Sequence, residues 1–210
     1  PRLGRDETTF LEVRMMTGGP ERSDFSNNKD FVDALLAWIV KCGTDWYYDE
    51  GITQLEHAVQ SAVLARSKIG NSADITAALL HDVGHFLMQS QAKDKRFHDR
   101  DLKHEIVGAN WLARAFCPQV TEPVRLHVPA KRYLCAVDPG YWVGLSDGSK
   151  TSLVKQGGPM SEAKAKEFSA LPGCDAAVRL RQIDDQAKVV GLAIGPIEDF
   201  ADHLVKTLKT

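Results

Sequence analysis

The sequence predicts an all-α, single-domain fold, on three observations. Apolar residues recur at helical spacing in segment after segment, and no segment shows the apolar–polar alternation of a half-buried strand. No repeat, linker or low-complexity block divides the 210 residues, a length that suits one domain with its own core. The composition, 43% hydrophobic and 26% charged, is ordinary for a globular domain.

Each helix of the N-terminal half is predicted from an apolar stripe and from signals at its ends. Capping residues such as Thr and Ser precede the stripes, and Gly or Pro follows them. In chain order the predictions are Asp30–Lys41 before Gly43, the helix that Thr53 caps and that ends near Gly70, the helix from Ser72 or Asp74 to Asp82, and Lys103–Phe116, which Pro118 stops.

The C-terminal half is predicted to contain shorter helices around a segment rich in Gly, Ser and Pro, residues 136–160. The predictions are Thr121–Leu126 ending in His127-Val128-Pro129, a short stretch near Ser149–Val154, and then Ser161–Phe168, Cys174–Asp185 and Pro196–Leu208. Residues 1–28 are polar and are expected to form an N-terminal arm, so that the domain itself covers residues 29–210.

Several classes of protein are disfavoured by composition. The net charge of −2 gives no overall basic footprint for nucleic acid. No apolar stretch approaches the roughly 20 residues that cross a bilayer, and the first residues lack the apolar core of a signal peptide. The four cysteines lie far apart without CxxC pairs, which favours reduced, mostly buried thiols in a cytoplasmic protein.

Histidine and aspartate residues recur on the predicted helices in a pattern typical of a metal site. His81-Asp82 ends an apolar run, where a buried carboxylate needs a compensating partner, most often a metal ion. Four imidazoles and two carboxylates without a thiolate suit iron, zinc or manganese. The candidate ligands are His57, His81, Asp82, His104, His127 and Asp184.

We expect two metal ions, because one aspartate can bridge both with its two oxygens. Asp82 is the expected bridge. One ion would take His57, His81, Asp82 and Asp184, and the other Asp82, His104 and His127, which leaves open positions for catalysis. Taken singly, His57 also fits an ordinary buried imidazole and Asp184 a solvated helix face. His98, in a charged run, and His203, on the last helix, are expected to lie outside the site.

This order of ligands resembles the HD-domain superfamily, most of whose members are metal-dependent phosphohydrolases. The segment from Tyr47 to His57 resembles the HD-domain mixed-valent diiron oxygenases. Two downstream segments resemble the branch that cleaves the C–P bond of 2-amino-1-hydroxyethylphosphonate. They are His127-Val128-Pro129-Ala130-Lys131-Arg132-Tyr133-Leu134, and Leu145-Ser146-Asp147 together with Gln156-Gly157-Gly158-Pro159-Met160. The resemblance runs from about Tyr47 to Asp185.

The resemblance implies an HD-type helical bundle that holds two iron ions in a mixed-valent Fe(II)/Fe(III) state and uses O2 as co-substrate. The 1-hydroxyphosphonate would lose its C1 hydrogen and its C–P bond, giving a carboxylic acid, glycine for the amino substrate, and inorganic phosphate. The expected partner is this small organophosphonate, with neither nucleic acid nor membrane. An upstream phosphonate hydroxylase is expected as a pathway partner only.

The resemblance also implies roles for individual side chains. Lys131 and Arg181 would neutralise the phosphonate, and Arg181 lies three residues before Asp184, on the same side of a helix. Ser146 and Gln156 would add hydrogen bonds, His85 would contact substrate, and Glu50 would hold its amine. Tyr47 would occupy an iron position until substrate displaces it, so that Tyr47 and His85 are the catalytic candidates.

Each of these roles has a structural alternative. Arg181 also fits an ion pair with Asp184 or Asp185, Lys131 a surface lysine, Tyr47 a packing residue, and Ser146 and Gln156 caps or turns. For His85, Gly84 makes a helix end before it equally plausible.

Other functions also stay open from the sequence alone. The aromatic residues Trp46, Tyr47 and Tyr48 beside Glu50 suit a trimethylammonium group, and the product would then be glycine betaine. The alternative enzyme is an HD-domain phosphohydrolase that acts on a nucleotide or phosphomonoester through a metal-activated water. An HD-type sensor without activity and an oxygenase acting on a diol are further alternatives.

Overall fold

The computed structural model describes residues 18–44, 51–88 and 101–209. Over these ranges the regular structure is helical, and Phe116 and Leu208 form an isolated antiparallel bridge. The all-α prediction is therefore confirmed, and the architecture is consistent with an HD-type helical bundle. Among the described helices, none combines the length and the apolar character that crossing a membrane requires.

The α-helices are α1 (Asn28–Cys42), α2 (Gln54–Lys68), α3 (Ser72–Leu80), α4 (Val83–Leu87), α5 (His104–Leu112), α6 (Pro118–Val137), α7 (Tyr141–Gly144), α8 (Asp147–Lys155), α9 (Glu162–Ser169), α10 (Cys174–Gln186) and α11 (Ala201–Thr207). Short 3₁₀ turns, Arg22–Asp24 and Ile197–Phe200, precede α1 and α11.

The starts of the helices follow from local capping. Thr53 caps α2, as predicted, and exchanges hydrogen bonds with Glu56 in a capping box. Asn27 and Asn71 cap α1 and α3 in the same manner, each accepting a bond from the backbone N–H three residues later. Because the capping box fixes the first turn of α2, it also fixes the position of His57 along the helix.

The predictions around Pro118 are wrong in two places. The helix that begins at His104 ends at Leu112, not Phe116, because Phe116 leaves the helix to pair with Leu208. Pro118 starts α6, at a position where its missing N–H removes no helical bond. The same helix then continues through two internal prolines to Val137, far beyond the predicted end at Leu126.

Burial explains why α6 tolerates its prolines. One face of the helix is buried along its length, at Val120, Val124, Val128 and Leu134. The packing of that face outweighs the helical bonds that Pro123 and Pro129 remove. The sequence also missed α7, a four-residue helix without any buried residue in the segment 136–160.

The core lies where α2, α3, α6 and α10 meet, and α1, α5 and α11 cover it. Gly19, in the described part of the arm, packs on the rings of Trp38 and Trp111 with a φ of +75°. A smaller apolar cluster (Ala130, Phe168, Cys174 and Ala177) joins α9 to α6 and α10. All four cysteines are free, but only Cys174 is buried, and the other three are half-buried.

Candidate metal centre

The structure brings the six candidate ligands together from widely separated helices. His57 comes from α2, His127 from α6 and Asp184 from α10. His81 and Asp82 form the junction between α3 and α4, and His104 is the first residue of α5. Five of the six side chains are buried, and His104 is half-buried, with 12% of its side chain exposed.

Three of the ligands, here called the His57 group, surround one oxygen of Asp82. His57 Nε2 lies 3.2 Å from His81 Nε2 and 3.2 Å from Asp184 Oδ1. Asp82 Oδ2 lies 3.7 Å from His57 Nε2 and 3.5 Å from His81 Nε2. The four side chains therefore converge on a space of the size that one metal ion needs.

The remaining two, the His104 group, surround the other oxygen of the same carboxylate. Asp82 Oδ1 lies 3.3 Å from His104 Nε2 and 3.7 Å from His127 Nε2. The two imidazole nitrogens are 3.1 Å apart. Asp82 thus presents one oxygen to each group, which is the arrangement that a bridging carboxylate requires.

Backbone carbonyls set the tautomers of three of the imidazoles. The Nδ1 atoms of His57, His81 and His127 lie 2.8, 2.9 and 2.7 Å from the carbonyl oxygens of Ala187, Ala78 and Val124. A carbonyl only accepts hydrogen bonds, so each Nδ1 carries a proton and each Nε2 faces the centre of the cluster, where a metal ion could take its lone pair.

The Nε2 atoms need a positive charge between them, either a metal ion or, without one, a proton. Nε2 atoms lie 3.1–3.2 Å apart in both groups. Asp82 Oδ2 and Asp184 Oδ1 are buried and accept no hydrogen bond within the described part of the chain. A metal ion in each group would satisfy nitrogen and oxygen donors together, and this donor set suits iron, zinc or manganese. The residues present therefore fit a pair of metal ions.

The ionisation of the cluster is consistent with such a site. Burial raises the pKa of Asp82 and Asp184, but nearby positive charge, chiefly His81 for Asp82 and Arg181 for Asp184, outweighs it and holds both pKa values well below their usual range. Burial lowers the pKa of His81, yet Asp82 and Asp184 outweigh it and raise that pKa to about 9. Metal binding would replace the proton that His81 retains.

A close backbone contact positions the His104 group. A Cβ built on Gly84 would overlap the carbonyl oxygen of His104 and lie 2.7 Å from its carbonyl carbon. Gly84 therefore lets α4 lie directly on the first turn of α5. Gly108, one turn further along α5, lies close to the backbone of Gly84 in the same contact. Lys103, with a φ of +52°, turns the chain into α5 just before His104.

His85 joins the cluster from the outer side. Its ring stacks on that of His104, with centroids 4.0 Å apart and an angle of 19° between the planes. Its Nε2 lies 3.9 Å from Asp82 Oδ1. Burial and the neighbouring His104 lower the pKa of His85 to about 3, so it stays neutral. The helix does break before His85, at the His81-Asp82 junction, and α4 then carries it.

Arg181 is buried beside the ligand Asp184. Its Nη1 lies 2.6 Å from Asp184 Oδ2, and its Nη2 pairs with Asp185. Nη2 also donates to the Ser149 hydroxyl at 3.1 Å, and Nε donates to Tyr141 Oη at 3.2 Å. The ion pair that the sequence offered as an alternative is thus present, and phosphonate binding by Arg181 stays a prediction.

Two lysines lie near Arg181, and with it they form what we call the cation cluster. Lys131, only 2% exposed, donates to the Ser152 hydroxyl at 2.7 Å, so it is not a surface lysine. Lys188 donates to the Ser149 hydroxyl at 3.2 Å. Burial, followed by repulsion from Arg181, lowers the pKa of Lys131 to about 7.

Sequence reasoning named Asp185 as a possible partner of Arg181 but missed other members of this neighbourhood: Tyr141, Ser149, Ser152 and Lys188. Ser149 and Ser152 are three residues apart on α8, and Asp185 is four residues after Arg181. Helical spacing alone could have paired them. No signal in the sequence indicated that α8 and α10 would face each other.

The remaining predicted residues fall in three places. Ser146 caps α8, where its Oγ accepts from the Ser149 backbone N–H at 3.2 Å. Gln156 ends α8, and its Oε1 is buried without a hydrogen bond in the described ranges. His203 lies on α11, with Nδ1 3.0 Å from Ser72 Oγ. The predictions on Trp46, Tyr47, Tyr48, Glu50 and His98 lie outside the described residues.

Comparison with known proteins finds relatives that are named for their function and that match most of the chain. It is 49% identical to the hydroxymethylphosphonate dioxygenase of Gimesia maris, over 78% of this chain and 81% of that protein. It is 38% identical to the [1-hydroxy-2-(trimethylamino)ethyl]phosphonate dioxygenase (glycine-betaine-forming) of Leisingera caerulea, over 77% and 82%. An uncharacterised protein of Acanthamoeba polyphaga mimivirus is 33% identical, over 84% and 81%. No family model matches the chain.

Proposed function

The chain belongs to the phosphonate dioxygenase family, as an oxygenase like its two named relatives, and on that premise we propose that it cleaves the C–P bond of a 1-hydroxyalkylphosphonate with O2. The overall reaction is R–CH(OH)–PO3²⁻ + O2 → R–COOH + HPO4²⁻. It balances with one O2 per substrate, which takes up four electrons, and with no other reductant. The observation that supports it best is Asp82, which presents one oxygen to each of two imidazole groups.

Two iron ions in the mixed-valent Fe(II)/Fe(III) state are proposed as the cofactor. His57, His81 and Asp184 would hold one, His104 and His127 the other, and Asp82 both. When bound, the pair supplies O2 activation and Lewis-acid binding of the substrate oxygens. The protein contributes fixed tautomers, since the backbone carbonyls hold three of the Nε2 lone pairs toward the centre.

The cation cluster is proposed as the binding place of the phosphonate dianion. Buried ammonium and guanidinium groups bind such an anion through charge-assisted hydrogen bonds. Ser149 and Ser152, which now accept hydrogen bonds from the cations, hold the donors in a common direction. Substrate fixed by its phosphonate end would be oriented with its hydroxyl-bearing carbon toward the metal pair.

The substituent on C1 is the finer part of the proposal. Glu50 favours 2-amino-1-hydroxyethylphosphonate, because a carboxylate can pair with its ammonium group, and the aromatic neighbours of Glu50 would also suit the trimethylammonium analogue. Hydroxymethylphosphonate is the second candidate, since the relative named for that substrate is 49% identical over most of the chain. That compound carries no amine and has no use for Glu50.

The test is phosphate release from all three substrates by iron-loaded, ascorbate-reduced protein, with and without O2. Glycine, glycine betaine or formate should appear together with phosphate only when O2 is present. Glu50→Gln serves as the matched control, because it should weaken turnover of the amino substrates and leave that of hydroxymethylphosphonate unchanged.

Two outcomes would contradict the proposal. One is that none of the three compounds releases phosphate in a reaction that depends on O2. The other is equal release without O2 from a nucleotide or phosphomonoester, which would indicate hydrolysis instead.

A further inference from the structure

Two contacts join α2 to the segment that follows α10. In the first, His57 Nδ1 lies 2.8 Å from the carbonyl oxygen of Ala187. The second comes from Gln60, whose Nε2 donates to the Val189 carbonyl at 2.9 Å and whose Oε1 accepts from the Val189 N–H at 3.0 Å. Residues three apart on a helix share a face, so His57 and Gln60 meet the same short segment from one side of α2. Neither the sequence nor the proposed reaction gives Gln60 a role.

The Gln60 amide matches both backbone groups of Val189. A primary amide offers an acceptor and two donors, so one side chain can pair with a backbone N–H and a backbone carbonyl together. Gln60 is only 3% exposed, whereas Val189 exposes 51% of its surface. Side-chain packing therefore contributes little to the position of Val189, and the pair of hydrogen bonds fixes its backbone against α2.

The position of Val189 affects Ala187, two residues earlier in the chain. Ala187 is buried and is the C-cap of α10, where its N–H completes the last turn of the helix. Its position is thus fixed by α10 on one side and by the contact between Gln60 and Val189 on the other. From this position its carbonyl binds His57 Nδ1, while Nε2 of the same ring lies 3.2 Å from Asp184 Oδ1. A shift of Ala187 would therefore remove the acceptor that orients the His57 ring.

We propose that Gln60 is a positioning residue of the His57 group: by holding the segment 187–189 on α2, it keeps the Ala187 carbonyl where it orients His57 toward a metal ion. Partners that orient a ligand imidazole through its other ring nitrogen typically affect metal affinity about ten- to hundredfold. Gln60 acts one step further out, through the backbone that supplies the acceptor. The inference rests on the metal pair of the proposed function, and it concerns one half of that pair.

A purely structural account gives Gln60 a different task. In that account Gln60 only satisfies the two backbone groups of Val189 and so stabilises the chain after α10. Its loss would then lower the stability of the protein, with the affinity for metal either unchanged or lowered equally at both ligand groups. That account predicts no selective loss at the His57 group.

The experiment measures the affinity of metal-free protein for Zn(II), by competition with a chromophoric chelator, at one ligand group at a time. His127→Asn disables the His104 group and leaves the His57 group to bind, and His57→Asn does the reverse. We expect Gln60→Met to lower the Zn(II) affinity of the His127→Asn protein about tenfold, at the lower end of the range for such partners. It should leave the affinity of the His57→Asn protein unchanged, because no imidazole is left there for Ala187 to orient.

Methionine suits this test because it keeps the length of the side chain and removes both hydrogen bonds. Gln60→Glu is a second variant in case the first does not fold, since its carboxylate still accepts from the Val189 N–H but cannot donate to the carbonyl. The matched control is Gln186→Met. Gln186 also joins α10 to α2, because its Oε1 accepts from the Lys68 ammonium. It is exposed, however, and its amide donates to the Gln182 carbonyl instead of to the segment 187–189, so its loss should leave Zn(II) affinity unchanged.

Three results would overturn the inference: no Zn(II) binding by the wild type, Gln60 variants that match their parent in the His127→Asn background, or an equal loss of affinity in both backgrounds. Because the assay needs neither O2 nor an organic substrate, it separates this inference from the proposed function. A selective loss at the His57 group, in a protein whose iron-loaded form shows no oxygenase activity, would support the role of Gln60 and contradict the proposed reaction alone.

Discussion

Asp82 is the residue on which both ligand groups depend, since each of its oxygens faces a different pair of imidazoles. We expect Asp82→Asn to reduce metal content toward zero, because an amide offers one neutral oxygen and cannot bridge. His127→Asn, which affects only the His104 group, should lower it by about half. Elemental analysis of the purified variants measures both.

His203→Asn is the control for this comparison, because His203 lies on α11 outside the cluster and contacts Ser72. It should retain the metal content of the wild type. An Asp82→Asn protein that still bound as much metal as the wild type would contradict the bridging role.

Lys131 gives a prediction on pH. Burial, Arg181 and Lys188 lower its pKa to about 7, although Asp184 and Asp185 oppose the shift. A lysine with a lowered pKa loses its charge as the pH rises through that value, so kcat/KM for a dianionic phosphonate should fall on the alkaline side of about pH 7. Lys131→Arg keeps its charge and should move this decline to higher pH. Profiles of kcat/KM that coincide for the two proteins would contradict it.

The single residues that could be predicted from the sequence are those with a recognisable order, namely the six candidate ligands. Ser149 and Lys188 could not be, because nothing in their local sequence differs from a helix face or a helix end. Their proximity depends on how α8 lies against α10, a tertiary contact that no local pattern encodes. The same holds for the burial of Lys131.

The contact between α4 and α5 is the element on which the His104 group rests. Gly84→Ala would place a methyl group into the backbone of His104, and we expect a loss of about 3 kcal/mol in the free energy of unfolding. Urea denaturation of the metal-free protein measures it. Gly144→Ala is the control, since a Cβ there meets nothing within 4 Å, and its effect should stay within about 0.5 kcal/mol. Equal stability of the two variants would contradict the close approach.

Helices with clear caps could be predicted from the sequence to within a few residues, as α2 shows with its Thr53 capping box. The errors arose where tertiary packing overrides local signals. Proline normally interrupts a helix, which is why the sequence predicts breaks at Pro118 and Pro129. However, α6 continues through Pro129 because the packing of its buried face stabilises the helix. Phe116 lies outside α5 because it pairs with Leu208. Leu208 is more than 90 residues away in the sequence, so no local pattern indicates this pairing.

The whole molecule is tied together at the candidate metal centre, to which α2, α5, α6, α10 and the α3–α4 junction each contribute. Ions that bind only the folded state stabilise it by mass action. We expect removal of metal by a chelator to lower the midpoint of thermal unfolding by about 10 °C, for a loss of about 4 kcal/mol in a chain of this size. Asp82→Asn should show the same midpoint with and without chelator, and an unchanged wild-type midpoint would contradict the prediction.

The position of Asp184 late in the sequence has a consequence for the order of events during synthesis. Asp82, His104 and His127 are all synthesised before α10, so the residues of the His104 group precede completion of the His57 group. The His57 group also relies on the carbonyl of Ala187, which is added later still. The His104 group is therefore synthesised before the His57 group is complete. A chain that stops before α10 contains Asp82 and the His104 group, but its His57 group lacks Asp184.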